Sequence, residues 1–128
     1  MAYFLDTHTL LWFVSGDKLL PESSKKIIKN INESCFLSAV SLWEITIKHQ
    51  LKKLELGLSL EELFEYVDRN QIEIIPINYL HLIQLSKLPS HHGDPFDRLI
   101  ISQAISENLT LTSKDSIFKE YEVKVIWD

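Results

Sequence analysis

The sequence predicts an α/β fold, a three-layer α/β/α sandwich built on a mostly parallel five-stranded sheet. Three observations predict it. Five short apolar or β-branched runs recur along the chain, each bounded by polar or capping residues. Stretches in which apolar residues recur with a period near 3.6 lie between them. Those stretches are long enough to serve as the crossovers that parallel strands require, which puts helices on both faces of the sheet.

The strands are expected at Ala2 to Leu5, Cys35 to Leu37, Ile72 to Ile77, Leu109 to Thr112 and Val123 to Trp127. Pro76 cannot donate to a ladder and so assigns the third of these to an edge. Helical spacing predicts helices over Thr9 to Val14, Ser23 to Ile31, Val40 to Leu51, Leu60 to Val67, Leu80 to Leu85 and Phe96 to Ile105, with a short one after Asp115. Asp94 before Pro95 reads as an N-cap followed by the first helical position, which sets Asp97 at the third, near the positive end of the helix dipole. With no repeat, no low-complexity tract and only three glycines, residues 1–128 are expected to form one domain.

Composition narrows the function classes. A chain of 128 residues, 45% apolar and 24% charged, has the make-up of a soluble globule with a single core. Its first residues carry no basic leader, and its strongest later apolar run, "LLWFV" (Leu10 to Val14), is far too short to span a bilayer, so a cytoplasmic location and no membrane partner are expected. Cys35 is the only cysteine, which excludes an internal disulfide, and its setting in "SCFLS" suits a small buried apolar residue. The net charge of −5 repels polyanions at long range. A nucleic-acid substrate would need local attraction.

In open parallel sheets, ligands bind beyond the carboxyl ends of the strands, and the residues after the predicted strands are acidic. Asp6 comes after "AYFL", Glu44 lies in "AVSLWEI" after "CFLS", and Asp115 comes after "LTLTS". Asp97 opens the helix of "DPFDRLIISQA". Each has an alternative as a helix-terminal residue: Asp6 as a cap for the helix near Thr9, Ser41 with Glu44 as an S-x-x-E capping box, Asp97 at a dipole, and Thr112 with Asp115 as a further cap. If capping were their only work, the chain would be a catalytically silent binding module. Placement argues for more. Val40, Ile47 and Leu51 share the helical stripe of Glu44, and Asp6 comes directly after a strand expected inside the sheet, where an unpartnered charge is costly.

Lys48, Arg98 and Lys114 could each neutralise one acid, but four acids converging on one crevice raise one another's proton affinity unless a multivalent cation intervenes. The donors are hard oxygens, with no second cysteine and no H-x-x-x-H pair, so Mg²⁺ is expected, with Mn²⁺ as a substitute, rather than Zn²⁺. Removing the charges of the four acids takes the net charge from −5 to −1, so much of the repulsion sits where a cation would cancel it.

"FLDTHTLLW", "LSAVSLWEITIK", "DPFDRLIISQA" and "LTSKD", in this order and spacing, resemble the PIN-domain ribonucleases, and within them the VapC-type toxins of toxin-antitoxin pairs. The resemblance spans nearly the whole chain. It implies a parallel α/β/α sandwich and a metal-dependent endoribonuclease whose acidic quartet is Asp6, Glu44, Asp97 and Asp115. Asp6 and Asp97 would be the direct metal ligands, while Asp115 and Glu44 position water or a second ion. Ser113 falls where the family carries a hydroxyl or amide beside the last acid. The partners implied are an RNA substrate, a second copy of the chain as a homodimer, and an antitoxin whose C-terminal segment covers the cleft. RNA would rest on a basic rim of Lys48, Lys52, Lys53, Arg98 and Lys114. A haloacid-dehalogenase-like phosphatase is disfavoured, because His8 stands where its second aspartate would be.

His91 and His92 are expected on a loop at the crevice rim, since adjacent side chains seldom converge on one metal ion, and His8, two residues beyond Asp6, could approach the phosphate or be simply a hydrogen-bonded loop residue. Leu51, Leu54, Leu56, Leu58, Leu60, Leu63 and Phe64, with Trp12 and Trp43, offer more apolar surface than so small a core needs, which points to a partner surface.

Overall fold

The computed structural model describes residues 2–127. Their order is β1 (Ala2–Leu5), α1 (Thr7–Ser15), α2 (Glu22–Lys29), β2 (Ser34–Ser38), α3 (Ala39–Gln50), α4 (Leu60–Arg69), β3 (Glu73–Ile75), α5 (Tyr79–Ser86), α6 (Pro95–Glu107), β4 (Thr110–Thr112), a 3₁₀ turn (Ser116–Glu120) and β5 (Val125–Ile126). The strands form one sheet in the order β3-β2-β1-β4-β5, and every pairing is parallel. The expected α/β/α sandwich is present.

Alternation along β1 builds the two cores. Tyr3 and Leu5 enter one cluster with Leu10, Phe13, Ile28, Leu63 and Val67, from α1, α2 and α4. Phe4, between them, points the other way and meets Ile100, Ile101, Leu111 and Phe118. Phe4 and Leu5 are both fully buried, and complete burial of such a side chain stabilises by about 1.5–3 kcal/mol. Helix α3 serves both clusters, giving Val40 to one and Ile45 to the other. That position brings it to α1 on one side and α6 on the other.

The chain leaves β1 toward β2 and β3, then returns to β4 on the opposite side, so the order of strands reverses between β1 and β4. This is where a doubly wound sheet opens a crevice at its carboxyl edge. Asp6 and Ser113 are the first residues beyond β1 and β4.

Local signals account for most element ends. Asp94 caps α6, accepting from the N–H groups of Phe96 and Asp97, with Pro95 in the first turn, and Asn108 closes the helix in the left-handed region. Gly16, with φ of 69°, closes α1. As Pro76 predicts, β3 is an edge strand. It is shorter than expected because Pro76 ends the ladder.

One reading is corrected, and one helix is found where expected but with most of its apolar residues exposed. The S-x-x-E capping box is not at Ser41 and Glu44, which lie inside α3 behind its true N-cap, Ser38. A reciprocal box stands at Ser59 and Glu62, at the start of α4. The helix expected over Leu80 to Leu85 exists but does not bury its apolar residues. His81 is its one buried residue, while Tyr79, Leu80, Leu82 and Ile83 are exposed. The reason is polar: His81 faces Gln103 and Glu107 of α6, and Gln103 in turn accepts a hydrogen bond from Ser38.

Candidate active site

Asp6 is buried at the carboxyl end of β1, and its backbone N–H donates to the carbonyl of Thr112 at 3.1 Å, tying it to the end of β4. Thr9 reinforces that tie by donating its hydroxyl to the same carbonyl at 2.7 Å. Ser113 donates to Asp6 Oδ2 at 2.9 Å, and the Ser113 hydroxyl accepts from the backbone N–H of Asp115 at 3.1 Å. Asp6 occupies the N-cap position of α1 without making a side-chain cap, so its carboxylate is left for other work. Burial pushes its carboxyl up to about 6, against the lowering effect of Ser113 and the backbone of Thr7, with Glu44 and Asp115 raising it further by repulsion.

Glu44 enters from α3 and is also buried. Thr7 Oγ1 lies 2.9 Å from both Glu44 Oε1 and Ser41 Oγ, and with one proton to give it donates to the carboxylate. Glu44 Oε2 accepts from Lys48 Nζ at 2.6 Å, one turn along the helix. The Glu44 hydrogen bond holds the Lys48 ammonium above its usual range. Lys48 is therefore a counter-ion of the acids.

Asp97 projects from the first turn of α6 and is partly buried. Its carboxyl is pushed up to about 7, first by burial and then by repulsion from Asp94, Asp6 and Glu44, with the His92 hydrogen bond acting in the opposite sense. His92 Nε2 stands 3.4 Å from Asp97 Oδ2, and its Nδ1 stands 2.7 Å from the Tyr121 hydroxyl. With Nε2–H directed at the carboxylate, Nδ1 accepts from Tyr121, whose oxygen accepts from the His92 N–H and from Arg98 Nη1 at 3.3 Å each. Tyr121 and His92 thus hold Asp97 in place. Sequence reasoning put His92 at the rim without this role, because Tyr121 is distant along the chain.

Asp115 is the exposed member of the quartet, and it alone makes a true cap, accepting from the Ile117 N–H. Lys114 is also exposed, beside it. Lys52 and Lys53 are exposed beyond the end of α3. Arg98 is corrected: its guanidinium donates to the carbonyls of Pro89, His92 and Leu88, so it clamps the loop before α6 and is not a free rim cation. Cys35 is buried, and burial pushes its thiol up to about 11, which suits packing and not nucleophilic work.

The structure thus brings Asp6, Glu44, Asp97 and Asp115 to one crevice, where Asp6 is repelled by Glu44 and Asp115, and Asp97 by Asp6 and Glu44. Among the described residues, no three acidic, histidine or cysteine side chains are disposed to ligate one ion as they stand. Ser113, Thr7 with Lys48, and His92 each hold a different carboxylate. The donor set nevertheless fits a hard divalent cation: it is all oxygen, Asp6 and Asp97 are held above the ordinary carboxylate range by burial and then by neighbouring carboxylates, and Asp115 leaves one side open to solvent. Trp43 and Phe96, which precede Glu44 and Asp97, meet edge to face at 5.2 Å on one flank.

A model of the family described as PIN domain matches residues 3–124, and the chain belongs to that family. Solved structures share the fold over nearly its full length. One, of VapBC2 from Rickettsia felis bound to a DNA fragment from the promoter, has a TM-score of 0.72 and 22% identity, with all of both chains covered. Another, of DNA-bound VapBC from Salmonella typhimurium, has a TM-score of 0.69 and 16% identity over 100% of this chain and 99% of that one. FitAcB from Neisseria gonorrhoeae gives 0.65 and 18% over 97% and 96%. No curated protein matches.

Proposed function

We propose that the chain is a metal-dependent endoribonuclease, the toxin of a toxin-antitoxin pair, acting in the cytoplasm. The observation that carries this reading is the gathering of Asp6, Glu44 and Asp97, buried or partly buried, with the exposed Asp115 where the sheet opens between β1 and β4. Family membership supports it, since PIN domains are generally nucleases. The likeness in fold to VapBC complexes supports an antitoxin as partner.

Asp6 and Asp97 would hold Mg²⁺, or Mn²⁺ in its place, with Glu44 and Asp115 completing the oxygen set or orienting water. A bound divalent ion supplies Lewis-acid activation of the scissile phosphate and of water. The chain's own residues do the rest. Ser113 favours the charged form of Asp6 and aims it, Lys48 offsets the charge of Glu44, and the His92–Tyr121 pair fixes the direction of Asp97. Lys114 gives a backbone phosphate a local cation on a chain whose overall charge repels it. The exposed apolar residues Tyr79, Leu80, Leu82 and Ile83 of α5 support a second copy of the chain as a dimer partner.

Sequencing the ends of RNA fragments produced by the purified chain tests the reading. Cleavage in Mg²⁺ that is abolished by EDTA and by Asp97→Asn is expected. RNA left intact in Mg²⁺ and in Mn²⁺ by a folded chain would overturn it.

A further inference from the structure

The crevice has an aromatic wall that the carboxylates do not require. A cavity of about 380 Å³ is lined by Asp6, His8, Trp12, Lys114, Asp115 and Ser116, a size within the range of small-ligand sites. Trp12 packs its body against the α1 core cluster, and Trp127 meets it edge-on at 5.7 Å, so the indole is fixed in orientation. The His8 ring lies 5.7 Å from it, tilted by 39°. His8 is exposed, and among the described residues neither it nor Lys114 has a hydrogen-bond or ion-pair partner. One end of this cavity is therefore flat and aromatic, one corner carries an uncommitted cation, and the remaining wall is formed by two of the acids.

We propose that this cavity is a nucleotide subsite, in which the base beside the cleaved phosphate stacks on Trp12 and His8 while a flanking phosphate meets Lys114. The inference rests on the nuclease reading and goes beyond it by naming where substrate is held. Stacking on a fixed indole tolerates any base, since every base has a π-face, and Lys114 adds one salt-sensitive phosphate contact. The acids set where along the strand the cut falls. Trp12 holds whichever base lies next to it.

The test is equilibrium binding of a fluorescein-labelled single-stranded hexaribonucleotide, with Ca²⁺ in place of Mg²⁺ to slow hydrolysis. Trp12→Leu is expected to weaken binding about tenfold, in keeping with the loss of one stacked base, and Trp12→Phe to restore most of it. A scan of single abasic positions is expected to find one that costs the native chain a similar factor and costs Trp12→Leu nothing further. Lys114→Ala is expected to reduce the salt slope by about 0.7. Unchanged melting of each variant excludes loss of fold as the cause. Losses that simply add in Trp12→Leu with every abasic oligonucleotide, or no effect of Trp12→Leu at all, would overturn the subsite and give the wall to a protein partner. RNA cleavage with additive losses sinks the subsite alone, binding and coupling without cleavage in Mg²⁺ sinks the nuclease reading alone, and absence of binding by the native chain sinks the subsite outright.

Discussion

Ser113 donates its hydroxyl to Asp6 at 2.9 Å, joining residues 107 positions apart at the ends of two adjacent parallel strands. The bond favours the charged carboxylate against the burial that disfavours it. Ser113→Ala is expected to move the acidic limb of the cleavage pH profile up by about 1 pH unit, with little loss at pH 8. A profile that falls evenly at all pH values would assign Ser113 a purely structural role.

The raised carboxyls make a stability prediction of definite sign. Asp6 and Asp97 are held up to about 6 and about 7, whereas an unfolded aspartate titrates near about 4. The folded chain therefore binds these protons more tightly, and the metal-free protein loses stability as pH rises from about 4 to about 7. Asp97→Asn should flatten that slope and raise the metal-free Tm at pH 8 by about 3–6 °C. Calorimetric melting across this range checks it.

Lys48 stands 2.6 Å from a buried glutamate while its own side chain is 42% exposed. Lys48→Met leaves Glu44 without its cation, and solvent screening limits the cost to roughly 1 kcal/mol. Added Mn²⁺ should recover the lost stability if the acids share a cation. Denaturant melts with and without Mn²⁺ read both effects.

Tyr121→Phe removes the hydroxyl that His92 and Arg98 share. The expected result is a loss of about 1 kcal/mol in stability together with a several-fold lower kcat, because Asp97 loses the group that orients its histidine. A fall in stability with unchanged kcat would confine Tyr121 to holding the loop.

Much of this was legible in the chain. Asp6, Glu44 and Asp115 stood out because each comes after an apolar strand, and a parallel sheet delivers the residues beyond its strands to one edge. Pro76 marked its strand as an edge for a reason internal to one residue. The features that stayed hidden depend on pairs far apart in sequence. Arg98 read as a rim cation until the carbonyls of residues 88 to 92 claimed it. The His92–Tyr121 pair and the outward turn of α5 likewise arise from packing, since apolar content alone does not say which face of a helix is covered. The leucines between Leu51 and Phe64 divided: Leu63 is fully buried, Leu54, Leu56, Leu58 and Leu60 are partly so, and Leu51 and Phe64 are exposed.

Titration of Mn²⁺ into the purified chain at pH 8, with free ion read by electron paramagnetic resonance, addresses the carboxylate cluster itself. Native protein should bind at least one ion per chain, and Asp6→Asn and Asp97→Asn, both folded, should bind at least about tenfold more weakly. Binding as tight in either variant as in the native chain, or none in the native chain, would contradict a shared divalent-cation site.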